Sequence, residues 1–129
     1  MKNELDRILN EVEDAANGHE LSWLEIMTAV YERYFGEGVP PFEYALPDDT
    51  KGNVLLECLT YQKRISQMSE AEFLQLQYRA AFGRSLRYNF MTIHTEEELL
   101  TALRESLKSG KPYELPDDVK RLIEQGANF

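Results

Sequence analysis

The two histidines and the single cysteine are the residues of this 129-residue chain best suited to catalysis or metal binding. Neither His19 nor His94 belongs to an HExxH motif, and the seven glycines form no phosphate-binding loop. Cys58 stands among leucines, and no neighbouring histidine or helix start would lower the pKa of its thiol. We therefore expect Cys58 to be a buried apolar residue, and the sequence predicts no catalytic residue, no metal site and no cofactor.

The carboxylates are the more abundant reactive groups. The chain has 23 acidic and 14 basic residues, a net charge of −9 and an isoelectric point near 4.7. This charge disfavours a general nucleic-acid binder or a binder of anionic membranes, because both need positive charge. The first 50 residues hold twelve acids and three bases, whereas residues 51–95 hold three acids and six bases. The sequence therefore divides into an acidic beginning and a basic middle.

An acidic helical surface is the first functional hypothesis. Opposite charge accelerates the encounter of two proteins and rejects wrong partners. This pattern favours a small non-enzymatic binding protein: an inhibitor, immunity-type or adaptor protein that docks on a basic protein such as a nuclease or nucleic-acid-binding protein. The carboxylates expected to contact that partner are Glu4, Glu11, Glu13, Asp14, Glu20 and Glu32.

The basic middle of the chain offers a second surface, because arginine and tyrosine alternate there and both are typical of binding hot spots. Its members are Tyr78, Arg79, Arg84, Arg87 and Tyr88. One alternative is a small-ligand-binding protein or an enzyme, with a site between helices near Tyr78, Arg79, Arg87 and His94. A less favoured alternative is nucleic-acid binding through residues 78–90. The structural interpretation is that the aromatic side chains belong to the core and that the arginines pair with acids of the first third.

Capping boxes and glycines define the helices that must position these residues. Three segments have Ser or Thr three positions before Glu, which is the pattern of a capped helix start: 22–25, 69–72 and 95–98. Glycines follow the expected ends of several helices. Six helices are predicted, at about 2–16, 23–35, 47–66, 70–82, 96–109 and 116–125.

Two segments do not fit a helix. Residues 39–46 contain consecutive prolines, and residues 86–93 alternate aromatic and branched side chains, so the two segments are candidates for one short two-stranded ladder. The predicted fold class is an all-α, compact single-domain bundle of about six short helices over residues 1–129. The sequence has no signal-peptide pattern and no membrane-length apolar segment, which predicts a cytoplasmic protein without membrane contact. A homo-oligomer is compatible with these observations.

Overall fold

The computed structural model describes residues 2–88, 92–114 and Arg121, and this part of the chain is all-α, as predicted. Its α-helices are α1 (Lys2–Ala15), α2 (Trp23–Phe35), α3 (Asp48–Tyr61), α4 (Glu70–Phe82) and α5 (Glu96–Ser109). The chain divides into two compact units, Met1–Ser69 and Glu70–Phe129. The helix predicted over 116–125 falls, except for Arg121, outside the described residues.

The start of α2 confirms the predicted capping box. The backbone N–H of Glu25 donates to the Ser22 hydroxyl at 3.1 Å, and the backbone N–H of Ser22 donates to the Glu25 carboxylate at 3.0 Å. These bonds satisfy amides that have no partner inside the helix. The helix ends where Gly36 adopts a left-handed conformation with φ of 70°.

The start of α5 follows the same chemistry with one change. The hydroxyl of Thr95 accepts the backbone N–H of Glu98 at 3.1 Å, as in a capping box. The carboxylate of Glu98, however, accepts the backbone N–H of His94 at 3.3 Å. Glu98 therefore holds the backbone of His94, the residue before the N-cap, against the start of α5.

Helix α3 is shorter than predicted, since it ends at Tyr61 and not near Ser66. Gln62 adopts a left-handed conformation with φ of 56°, and the backbone N–H of Lys63 then donates to the carbonyl of Cys58 at 2.9 Å. A separate 3-10 turn over Ile65–Gln67 follows. Residues other than glycine and asparagine rarely take this conformation, so no residue type at this position predicts the break.

In the first unit, α2 contacts both α1 and α3. Apolar side chains from the three helices form its core: Ile8, Val12, Met27, Val30, Tyr31, Phe35, Val54, Leu55, Cys58 and Leu59. Trp23 is 37% exposed, and its indole N–H donates to the Asn53 side chain at 3.0 Å. A β-carbon at Gly52 would lie only 2.8 Å from the indole nitrogen of Trp23, which explains why a glycine is tolerated inside α3.

In the second unit, α4 contacts α5. The buried apolar side chains are Leu74, Leu76, Tyr78, Ile93, Leu99, Ala102, Leu103 and Leu107. The connection after α4 is fixed by Gln75, whose side chain accepts the backbone N–H of Leu86 at 2.9 Å and donates to the Leu86 carbonyl. One glutamine thus satisfies both backbone groups of an irregular segment.

The predicted ladder is absent from the described parts of segments 39–46 and 86–93, which contain no β-strand; residues 89–91 are outside the description. Each segment instead buries one apolar side chain, Leu46 in the first and Ile93 in the second. Ile93 also forms an isolated β-bridge, but no residue of segment 39–46 does, so the two segments do not pair with each other. Within the described residues, no helix combines the length and the apolar character that crossing a bilayer requires.

Candidate functional site

The six acids proposed as a docking surface are all exposed and all lie in the first unit. Four are on α1, one is on the connection to α2, and Glu32 is on α2. Glu11 is neutralised by the guanidinium of Arg7, which lies 2.8 Å from its carboxylate. Arg7 lies one helical turn from both Glu4 and Glu11, so it interrupts the acidic face at that level.

Three of the acids lie at the end of α1 and on the connection that follows it. Glu13 and Asp14 lie in the last turn of α1, which has no basic residue. Glu20 follows on the exposed connection to α2. None of the three forms an ion pair with any residue that the structure describes. We refer to Glu13, Asp14 and Glu20 as the α1-end acids.

The position of Glu13 and Asp14 is unfavourable for the helix itself. The last carbonyls of a helix carry a partial negative charge, so carboxylates there reduce stability and cations increase it. Helix α5 shows the favourable arrangement: it has Glu96, Glu97 and Glu98 in its first turn and Lys108 in its last. The acids at the end of α1 therefore have no explanation in the stability of their own helix.

A second group of polar side chains in the first unit was not predicted from the sequence. The carboxylate of Glu37 accepts hydrogen bonds from the Tyr31 hydroxyl at 2.8 Å, from the Ser66 hydroxyl at 2.8 Å and from Arg64 at 3.2 Å. The Tyr31 hydroxyl in turn accepts the backbone N–H of Ile65 at 2.9 Å. We call these five residues the Glu37 cluster.

The Glu37 cluster fixes the backbone that follows α3. Hydrogen bonds from Tyr31, Ser66 and Arg64 hold the pKa of Glu37 below its ordinary value of 4.5. Burial raises the pKa of Tyr31 well above its ordinary value, so its hydroxyl remains a proton donor. Each bond joins residues 6 to 34 positions apart in the sequence, and for that reason no local pattern could reveal the cluster.

The second unit contains an open cleft of about 640 Å³. It brings together four of the five residues predicted as the second surface, with three further residues. Its lining consists of Tyr78, Arg79, Arg84, Ser85, Leu86, Arg87 and Tyr113. We call it the arginine cleft, because three of these side chains are arginines and none is a carboxylate.

The side chains of the arginine cleft differ in how they are held. Arg79 donates to the hydroxyl of Ser85 at 3.0 Å. The buried Tyr78 accepts the backbone N–H of Tyr113 at 3.0 Å through its hydroxyl, which places Tyr113 at the cleft. Arg84 and Arg87 are exposed and form no ion pair among residues 2–88 and 92–114.

Two predicted residues do not belong to this cleft. Tyr88 is 57% exposed and lies outside the lining. His94 is exposed as well and does not line the cleft. Tyr113, in contrast, lines the cleft but was not predicted. It lies 26 residues after Arg87, and no sequence motif connects the two.

A neighbouring cleft of about 580 Å³ shares Tyr113 and has the opposite charge. Its charged lining residues are Glu97, Glu98 and Glu105, and the remainder are Thr92, Ile93, Thr95, Thr101 and Ala102. Tyr113 therefore separates a basic cleft from an acidic one within the second unit.

Cys58 is buried, as expected from its leucine neighbours. Burial raises the pKa of its thiol to about 12, and the Glu57 carboxylate adds to this increase. The thiol is therefore protonated near neutral pH and is a poor nucleophile. Among the described residues, no group of three or more His, Cys, Asp or Glu is arranged to hold a metal ion.

Comparison with protein-family models, with curated proteins and with solved structures found no match for this chain.

Proposed function

We propose that this chain is a small non-enzymatic binding protein that docks on a basic protein through the acidic surface of its first unit. It would act as an inhibitor, an immunity-type protein or an adaptor, with a nuclease or nucleic-acid-binding protein as the natural class of partner. A cytoplasmic location belongs to the same proposal.

The position of Glu13 and Asp14 carries this proposal. Both are exposed in the last turn of α1, without a base in that turn and without an ion pair among the described residues. Lysine or arginine side chains of a partner would neutralise these carboxylates together with the partial negative charge of the helix end. An arrangement that is unfavourable in the free protein is thus favourable in a complex.

The charge of the whole first unit supports the same conclusion. Residues 1–69 hold thirteen acids and six bases, a net charge of −7, whereas residues 70–129 hold ten acids and eight bases, a net charge of −2. Long-range attraction of a basic protein is therefore concentrated on the first unit. Within it the α1-end acids form the centre of the proposed surface. Glu4 and Glu32 contribute further charge, and Glu11 contributes less because Arg7 neutralises it.

A charge-matched pair of variants tests the proposal. Glu13→Gln, Asp14→Asn and Glu20→Gln together neutralise the α1-end acids. Glu96→Gln, Glu97→Gln and Glu105→Gln remove the same charge from exposed positions of α5 and serve as the control. Each protein is immobilised and used to capture binding partners from the source cell, with quantitative mass spectrometry of the eluate and far-UV circular dichroism to verify the fold.

We expect a basic protein that the wild type and the control capture equally and that the α1-end variant captures at least tenfold less. The dissociation constant of the purified pair should increase steeply between 50 and 300 mM salt, since exposed charges are screened. Equal capture by all three proteins, a salt-independent affinity, or capture of a second copy of this chain alone would contradict the proposal.

A further inference from the structure

The arginine cleft is unusual for a chain in which acids outnumber bases by 23 to 14. Ten acids belong to the same unit, and yet Arg84 and Arg87 have no carboxylate partner within its described part. Among the described residues, the lining of the cleft contains three guanidinium groups and no carboxylate. Two exposed cationic side chains without a counter-charge among the described residues, Arg84 and Arg87, favour an anion beside them.

We propose that this cleft binds the phosphate or diphosphate group of a small organic molecule. The planar guanidinium group of arginine presents paired N–H donors that match the oxygen atoms of a phosphate group, which makes arginine the residue of choice for this anion. Arg84 and Arg87 supply the free guanidinium groups, and Arg79 adds positive charge while it remains bonded to Ser85. The apolar part of the ligand packs against Leu86 and the ring of Tyr113.

The size of the cleft agrees with a small molecule. Ligand pockets of proteins generally have volumes of roughly 300–1,000 Å³, and the arginine cleft has about 640 Å³. A long polyanion gains affinity only by neutralising many phosphates along its length. Beyond Tyr113 such a chain would meet Glu97, Glu98 and Glu105. The charge pattern therefore favours a single phosphorylated molecule over an RNA strand.

The walls of the cleft are held in place before any ligand binds. Gln75 bonds both backbone groups of Leu86, Arg79 bonds Ser85, and the hydroxyl of Tyr78 bonds the backbone of Tyr113. These bonds fix the segment that carries Arg84 and Arg87 relative to α4. A fixed site loses less conformational entropy on binding, which increases affinity.

Calorimetric titration with inorganic pyrophosphate at 50 mM salt tests the inference. We expect saturable binding of one pyrophosphate per chain to the full-length wild type. Arg84→Gln with Arg87→Gln should weaken this binding at least tenfold. The matched control is Lys108→Gln with Lys111→Gln, which removes the same charge from exposed positions of the same unit and should change the affinity less than twofold.

A measurement on the wild type does not depend on how the variants fold. Pyrophosphate should shift the backbone amide resonances of residues 84–87 and 113 in a ¹⁵N-labelled sample, and these shifts should saturate at the affinity found by calorimetry. Shifts scattered over the surface lysines, no saturable binding, or equal weakening in the control variant would overturn the inference.

Two further titrations separate phosphate recognition from other anion binding. Citrate has comparable charge but only carboxylates, and a single-stranded RNA of 20 nucleotides represents the polyanions. We expect both to bind at least tenfold more weakly than pyrophosphate. Tighter binding of citrate, or tighter binding of RNA that the Arg84 and Arg87 substitutions abolish, would overturn the inference. Capture of a basic protein through the α1-end acids is independent of all these outcomes.

Discussion

The Glu37 cluster and the α1-end acids are two groups of carboxylates in the same unit, and they have opposite surroundings. Glu37 accepts hydrogen bonds from the side chains of Tyr31, Arg64 and Ser66. Glu13 and Asp14 form no ion pair with any described residue and lie at the helix end that repels them. In this unit one carboxylate is hydrogen-bonded within the fold, whereas two others are exposed at a helix end that disfavours negative charge.

Removal of a single oxygen from the Glu37 cluster should have the largest effect. Tyr31→Phe removes the hydroxyl that accepts the backbone N–H of Ile65. The same change removes the hydrogen bond of 2.8 Å that this hydroxyl donates to Glu37. The free energy of unfolding should decrease by about 1–3 kcal/mol, the cost of a buried polar group that loses its partner. Urea unfolding followed by circular dichroism measures this change.

The matched control for this prediction is Tyr34→Phe, one turn further along α2. The ring of Tyr34 contacts Phe35, and no hydrogen bond joins its hydroxyl to a described residue. Its substitution should change the stability by less than about 0.5 kcal/mol. Equal destabilisation by the two substitutions would show that the cluster does not stabilise the fold.

The contribution of the Glu37 cluster to the free energy of unfolding should depend on pH, and this effect should be of intermediate size. The pKa of Glu37 is lowered in the folded protein, so its contribution is complete above the ordinary value of 4.5. The contribution is lost as the pH decreases through the lower pKa of the folded state, because a protonated carboxyl no longer accepts all its hydrogen bonds. Solvent moderates the effect, since about 20% of the side chain is exposed.

Glu37→Gln supplies the comparison, because the amide cannot titrate and has only one acceptor oxygen. At pH 7 the wild type should be more stable than this variant, and the difference should narrow between pH 5 and pH 3. Glu25 also has a lowered pKa, but it is present in both proteins and cancels in the difference. Stability curves that remain parallel over this range would contradict the assignment.

Neutralisation of Glu13 and Asp14 should have the smallest effect on the free energy of unfolding, and it should stabilise the protein. Glu13→Gln with Asp14→Asn removes negative charge from the end of α1, and the free energy of unfolding should increase by a few tenths to about 1 kcal/mol. Glu97→Gln in the first turn of α5 is the control and should decrease it by a few tenths. A decrease in both variants would show that the α1-end acids stabilise the free protein.

Helix starts and ends were predictable where short-range chemistry determines them. Ser22 with Glu25 fixes the start of α2, Gly36 fixes its end, and Gly110 follows α5 with a left-handed φ of 74°. The end of α3 was not predictable, because Gln62 adopts a conformation that its side chain does not favour. The single-domain prediction over residues 1–129 remains a prediction.

The candidate sites were predictable only in part. Arg79, Arg84 and Arg87 lie close together in the sequence, so a local pattern located the arginine cleft. Tyr113 was missed because it joins the cleft through a hydrogen bond across 35 residues. His94, which the sequence placed near the same site, does not line the cleft. The six acids of the proposed docking surface are exposed, as a docking surface requires. Only the observed end of α1 showed that Glu13 and Asp14 lie where a helix disfavours negative charge.

The contact between Trp23 and Gly52 has a practical consequence. Trp23 is the chain's single tryptophan, and its indole ring lies on α3 with a hydrogen bond to Asn53. Its fluorescence emission therefore reports the docking of α2 on α3, while the second unit has no intrinsic probe of that kind. Unfolding curves recorded by emission and by circular dichroism coincide only when both units unfold together. The emission of this one native side chain therefore tests, without a label, whether the two units unfold cooperatively.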